Sequence, residues 1–112
     1  MPALIILFLL VGLASPPPAS AAAVTVTAFI AQKHELTSIG TKPTPWVTVA
    51  VSRDLKKRYF GRKVQIKWGK RILIGRVESV THKRLKRTVD VLVVTEGQAR
   101  AIYSKRGEIK RI

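Results

Sequence analysis

Residues 62–94, RKVQIKWGKRILIGRVESVTHKRLKRTVDVLVV, decide the fold, because three strands can be read from them in succession. Val64, Ile66 and Trp68 alternate with Lys63, Gln65 and Lys67, the period of two shown by a strand with one face on a core and the other in water. Gly69, Lys70 and Arg71 supply a tight connection. Ile72, Leu73, Ile74, Val77 and Val80 then carry a longer strand, in which Gly75 marks a bulge, a bend or a close backbone contact. The two runs together predict a hairpin. The third run, Thr88 to Val94, is rich in β-branched residues and reads as a central strand, yet it holds Asp90 in its middle. A carboxylate buried there without a partner would be costly. Two readings stand side by side: Asp90 points outward at a sheet edge and balances Arg84 or Arg87, or it lines a groove whose basic rim and partly apolar floor tune it.

Upstream, Val24 to Ala31 alternates with Val24, Val26, Ala28 and Ile30 on one face and Thr25, Thr27 and Phe29 on the other. Residues 32–45 are polar and punctuated by Gly40, Pro43 and Pro45, which predicts a loop. His34 and Glu35 sit at its start without a defined third ligand, so no metal is expected. Trp46 to Val51 is a further alternating strand. Ser52 or Asp54 can cap a helical turn over Leu55 to Phe60, which Gly61 ends and which Tyr59 and Phe60 anchor. Trp68 packs in or beside the core, or, if exposed, stacks on a sugar ring or base.

Downstream, Thr81 to Arg87 is a basic loop containing His82, Lys83, Arg84, Lys86 and Arg87. Thr95 and Gln98 have the spacing of a capping box opening a short helix through Ile102. Gly107 releases the chain into a closing strand, Glu108 to Ile112. No tandem repeat is visible after residue 23. The elements add up to a mainly β protein, a small six-stranded barrel with one or two short helices, and closure would remove exposed strand edges.

The chain opens on a mostly apolar run, Ala3 to Ala14, too short to cross a bilayer comfortably, followed by Pro16, Pro17, Pro18 and small residues through Ala23. This is the pattern of a secretory signal over residues 1–23, cleaved after about Ala21 or Ala23, although Met1-Pro2 carries no basic residue. The expected product is one domain, 24–112, in the periplasm or secreted; an uncleaved membrane anchor is the competing expectation. The absence of cysteine excludes disulfides, thiol catalysis and thiolate metal sites. Every charged residue follows residue 23, so that domain keeps the whole formal charge of +15 and should seek polyanions.

VTVTAF at 24–29, VTVAVSRDL at 47–55, FGRKVQI at 60–66 and TVDVLVVTEGQARAI at 88–102 together resemble the ordered segments of a three-aspartate, or 3D, domain. That family has a double-psi β-barrel and is similar to the barrel of membrane-bound lytic transglycosylase A and, more distantly, to those of rare lipoprotein A and the expansins. The resemblance spans nearly all of residues 24–112. It implies a peptidoglycan-associated domain, and in the transglycosylase branch an aspartate that promotes glycosidic cleavage with formation of an anhydro sugar. Asp90 matches the aspartate of the family's Arg-x-Asp-like strand, here Arg87-Thr-Val-Asp90. Ser79 stands where the preceding aspartate is expected, beside Glu78, and Asp54 matches the remaining one only after a two-residue offset.

The resulting candidates are Asp90 as the acid, Glu78 as the alternative acid, and Ser79 orienting the sugar or water. Arg62, Lys63, Trp68, His82, Lys83, Arg84 and Arg87 are the candidates for holding substrate. No cofactor is expected. The expected partner is peptidoglycan or another anionic envelope polymer, with an envelope protein as a further candidate, and the barrel is expected to be a monomer. A different class is carried by FGRKVQIKWGKRILIGRV at 60–77, which resembles a basic SH3-like or KOW hairpin that tracks phosphates of nucleic acid.

Overall fold

A computed structural model describes residues 21–112. The signal expectation over residues 1–23 lies outside the described residues except for its last three positions, 21–23. Six strands close into a barrel: β1 (Ala22–Phe29), β2 (Thr48–Val51), β3 (Lys63–Trp68), β4 (Arg71–Val80), β5 (Thr88–Leu92) and β6 (Lys105–Arg111). Two short helices, α1 (Arg53–Tyr59) and α2 (Glu96–Ile102), follow β2 and β5. Around the ring the strands run β1-β5-β2-β4-β3-β6, so no strand has an open edge. This is the small, mainly β, six-stranded barrel the sequence pattern predicts.

The ring has an internal two-fold logic. Exchanging β1, β2 and β3 with β4, β5 and β6 sends each neighbour pair onto a neighbour pair: parallel β1–β5 becomes parallel β4–β2, and antiparallel β1–β6 becomes antiparallel β4–β3. Two seams map onto themselves, β2–β5 through Ala50↔Asp90 and β3–β6 through Ile66↔Ile109. These seams lie across the barrel from each other. Each half also threads one connection over a strand of the other half. Residues 30–47 pass the end of β5, with Trp46 N–H donating to Leu92 C=O at 2.8 Å. Residues 81–87 pass the end of β2, with Thr81 N–H donating to Val51 C=O at 2.9 Å.

The alternation that defines the strands also fills the interior. Val26, Val49, Val51, Val64, Ile66, Val77, Val89, Val91 and Ile109 are fully buried and form one cluster, which Tyr59 and Ile102 close from the helices. α1 stops as expected: Gly61 takes φ +77°, the left-handed conformation glycine adopts freely after a helix. α2 opens on the expected capping box, with Gln98 N–H donating to Thr95 Oγ1 at 3.1 Å and Thr95 N–H donating to Gln98 Oε1 at 3.3 Å.

Two local expectations need correction, and the reading of Gly75 narrows to one of its alternatives. Ser52 holds the N-cap position of α1 without capping it; its Oγ instead accepts the Thr88 N–H at 2.9 Å and so ties β2 to β5. The irregularity in β4 falls on Glu78 rather than Gly75, because the β2–β4 register steps from Val49↔Val77 to Ala50↔Ser79. Of the three readings of Gly75, the close backbone contact is the one that holds: a Cβ there would stand 2.6 Å from Val47 O. Gly107 lies inside β6 rather than ahead of it, packed so tightly on Lys67 O that a Cβ would also come within 2.7 Å of Val26 Cγ2.

Candidate functional site

On the outer face of β1, β5, β2 and β4 the register lines up one row: Thr27, Asp90, Ala50 and Ser79. Along β1, β5 and β2 the alternation that buries Val26, Val89 and Val49 turns Thr27, Asp90 and Ala50 outward, while on β4 the bulge at Glu78 breaks the alternation after Val77 and brings Ser79 into the row. Asp90, Ala50 and Ser79 of this row form the floor of a groove of about 340 Å³. Phe29 forms one wall, Val80 and Thr81 the other, and Glu35, Leu36, Thr37 and Ser38 close over it. That covering segment is pinned to β4: Ser38 N–H donates to Glu78 C=O at 3.0 Å and to Ser79 Oγ at 3.2 Å. Glu35 folds the segment back by accepting the Gln32 N–H at 2.7 Å.

Asp90 is half-buried in the middle of this floor. It does not sit at an edge, since β5 is paired on both sides, and among the described residues it forms no ion pair with Arg84 or Arg87. Its polar partner is Thr27, whose Oγ1 donates to Asp90 Oδ1 at 2.7 Å. Burial pushes the carboxyl above its ordinary value, and the Thr27 hydrogen bond only partly offsets this. Desolvation therefore outweighs the positive surroundings that the sequence suggests. The same Thr27 hydroxyl lies 3.4 Å from Val89 C=O, a second acceptor it can turn to when Asp90 carries a proton.

The other predicted site residues divide. Ser79 shares the groove floor with Asp90. Glu78, one residue earlier on the bulge, does not line it; its buried carboxylate accepts the Thr48 hydroxyl at 2.8 Å, and Thr48 Oγ1 in turn accepts the Thr44 N–H at 2.8 Å. The arrangement fastens the end of the long connection to β4, which is a structural duty.

Trp68 is only 7% exposed and belongs to the core, so it offers no face for stacking. Arg62 and Lys63 lie at the start of β3, by the seam across the barrel from Asp90, and with Arg111 and Ile112 they line a separate surface depression. The two basic clusters that are separate in sequence thus do not join around one site.

His82, Lys83, Arg84 and Arg87 are exposed on the connection that leaves Thr81 at the groove wall. His82 Nδ1 accepts the Arg84 N–H at 3.2 Å. The far end is held by Asp54, whose two carboxylate oxygens accept the Arg87 N–H at 3.3 and 3.0 Å. Burial pulls Asp54 upward, but hydrogen bonds from Ser52 and Arg87 and the nearby Lys86 charge prevail and hold it below its ordinary value. Asp54 is therefore neither a helix cap nor a groove residue; it clamps the basic connection.

Sequence reasoning missed Thr27 and the segment 35–38 as parts of the site. Thr27 could have been suspected from the outward face it shares with Thr25 and Phe29. The parallel β1–β5 pairing that brings it to Asp90 joins residues 63 positions apart and leaves no local mark. No protein-family model and no curated protein matches this chain.

Proposed function

We propose that this chain is an exported cell-envelope protein whose Asp90 groove binds a peptidoglycan glycan strand and cleaves it in the manner of a lytic transglycosylase. The observation that carries this reading is the setting of Asp90. It is a carboxyl whose affinity for a proton burial raises, in the floor of a groove, with one hydroxyl partner that can switch between two acceptors. The apolar walls Phe29, Leu36 and Val80 suit the faces of a sugar ring, and Ser79 offers a hydroxyl to orient it.

Protonated Asp90 gives its proton to the glycosidic oxygen as the bond from that oxygen to the anomeric carbon breaks. The hydroxymethyl oxygen of the same sugar closes on the anomeric carbon, and its proton returns to the Asp90 carboxylate. An anhydro sugar and a free hydroxyl end result, with no water consumed. One carboxyl serves as acid and then base, so a second catalytic carboxylate is unnecessary. Thr27 follows the charge, donating to Asp90 while it is ionised. Lys83, Arg84 and Arg87, on the connection that leaves the groove wall at Thr81, attract lactyl and peptide carboxylates.

Mass spectrometry of purified peptidoglycan treated with the wild type and with Asp90→Asn tests this reading. Asp90→Asn should keep folding and cell-wall binding and lose most anhydro-muropeptide, a fall of about 100-fold or more for loss of a proton donor. Glu78→Gln should retain the product once its folding is verified. A well-folded wild type that binds peptidoglycan and yields no anhydro product would leave a non-catalytic cell-wall-binding barrel instead.

A further inference from the structure

The barrel wall opposite the groove has its own chemistry. Around the β3–β6 seam the register sets three outward rows: Arg76 beside Lys63, then Ile74, Gln65 and Lys110, then Ile72, Lys67 and Glu108. The hairpin turn adds Lys70 and Arg71 at one end. Glu108 is the one acidic side chain in these rows, and among the described residues neither it nor the surrounding cations form an ion pair. Outward positions of a half-buried strand normally carry polar side chains, yet Ile72 and Ile74 stand 61% and 47% exposed among these cations. The barrel closes without them and neither isoleucine belongs to the buried core cluster, so core packing does not account for them.

We propose that this wall is a docking surface for an anionic phospholipid bilayer. Lysines and arginines spread over adjacent strands match a sheet of lipid phosphates, and each contributes roughly 1 kcal/mol near such a surface. Ile72 and Ile74 supply the apolar contact that settles among headgroups. Single-stranded nucleic acid is less well suited, because its binding surfaces use exposed aromatic platforms and the tryptophan of this wall, Trp68, faces the core. The ring order gives docking a direction: a bilayer on the β3–β6 seam leaves the β2–β5 groove facing away from it. The proposal stands whatever occupies that groove.

Sedimentation of the full chain with phosphatidylcholine vesicles, with and without phosphatidylglycerol, tests it. The apolar run at Ala3 to Ala14 can add a lipid affinity independent of charge, so the quantity read is the phosphatidylglycerol-dependent part. Lys67→Gln with Lys110→Gln should weaken that part about thirtyfold, whereas Lys67→Arg with Lys110→Arg should preserve it. Ile72→Ser with Ile74→Ser should weaken binding with the charge unchanged, and Lys83→Gln with Arg84→Gln on the groove side should leave it intact. Binding indifferent to phosphatidylglycerol, or lost through the Lys83 and Arg84 changes rather than the wall changes, overturns the proposal. So does duplex DNA that displaces the protein from vesicles at matched phosphate and salt through the same lysines, since the wall would then be a nucleic-acid surface.

Discussion

Asp90 has an ordinary neighbour and an uncommon setting, and the two pull its protonation in opposite directions. Thr27 favours the carboxylate, but burial favours the acid and prevails. Because the folded value lies above the unfolded one, the folded state binds the proton more tightly. The associated stabilisation is present below the unfolded value and is lost as pH rises through the folded one. Above the unfolded value the wild type is therefore destabilised relative to a neutral side chain, a cost that Asn avoids. Asp90→Asn should melt at a higher temperature than wild type at neutral pH, and the difference should shrink once the pH falls below the ordinary carboxylate range. Thermal unfolding of both proteins across that range checks the sign; an Asn variant less stable at neutral pH would mean that the charge is well solvated. A functional group kept at a cost in stability is the expected pattern at an active site. Asp54 has the opposite sign: its contribution is lost as pH falls through its lowered folded value, which should loosen the Arg87 end of the basic connection first.

At the level of elements, the two halves do the same work with different residues. Both helices are followed by a left-handed residue 43 positions apart, Gly61 with φ +77° and Ser104 with φ +55°. An L-residue with a side chain is strained there by roughly 1–2 kcal/mol. Ser104→Gly should recover about 1 kcal/mol, read as a rise in the urea midpoint with an unchanged slope. Gly107→Ala should do the reverse by more than about 1 kcal/mol, because its Cβ would run into Lys67 O, Val26 Cγ2 and Trp68 Cβ. The first strand bears on processing as well. β1 begins at Ala22, and Ala22 and Ala23 pair with Ile109 and Glu108. Cleavage after Ala23 would remove that end of the ladder, whereas cleavage after Ala21 would spare it. N-terminal sequencing of exported protein should therefore begin at Ala22; an intact Met1 in the cytoplasm would contradict export.

For the molecule as a whole, what the sequence revealed and what it concealed have separate causes. Strand alternation such as Val64, Ile66 and Trp68, the Gly61 stop and the Thr95–Gln98 box are local, so six strands and two helices could be read in order. The two-fold relation was not readable, because matching positions need only matching burial: Ile66 and Ile109 agree in type, but Ala50 and Asp90 do not. Asp90 was recognised as exceptional by its place in an apolar run. Its partner, the segment covering it and the separation of the basic clusters depend on which distant strands lie side by side, so the sequence leaves Trp68 open between core and stacking face and groups Glu78, Arg62 and Lys63 with Asp90, from which the fold separates them.

That separation makes the central claim testable by where a ligand acts. Amide chemical shifts of the full chain titrated with soluble muropeptide should move at Thr27, Ser38, Ala50, Ser79 and Asp90 while Lys63, Ile66 and Lys110 stay still. Shifts confined to the β3–β6 wall, or none at saturating muropeptide, would contradict the assignment of the groove as the glycan site.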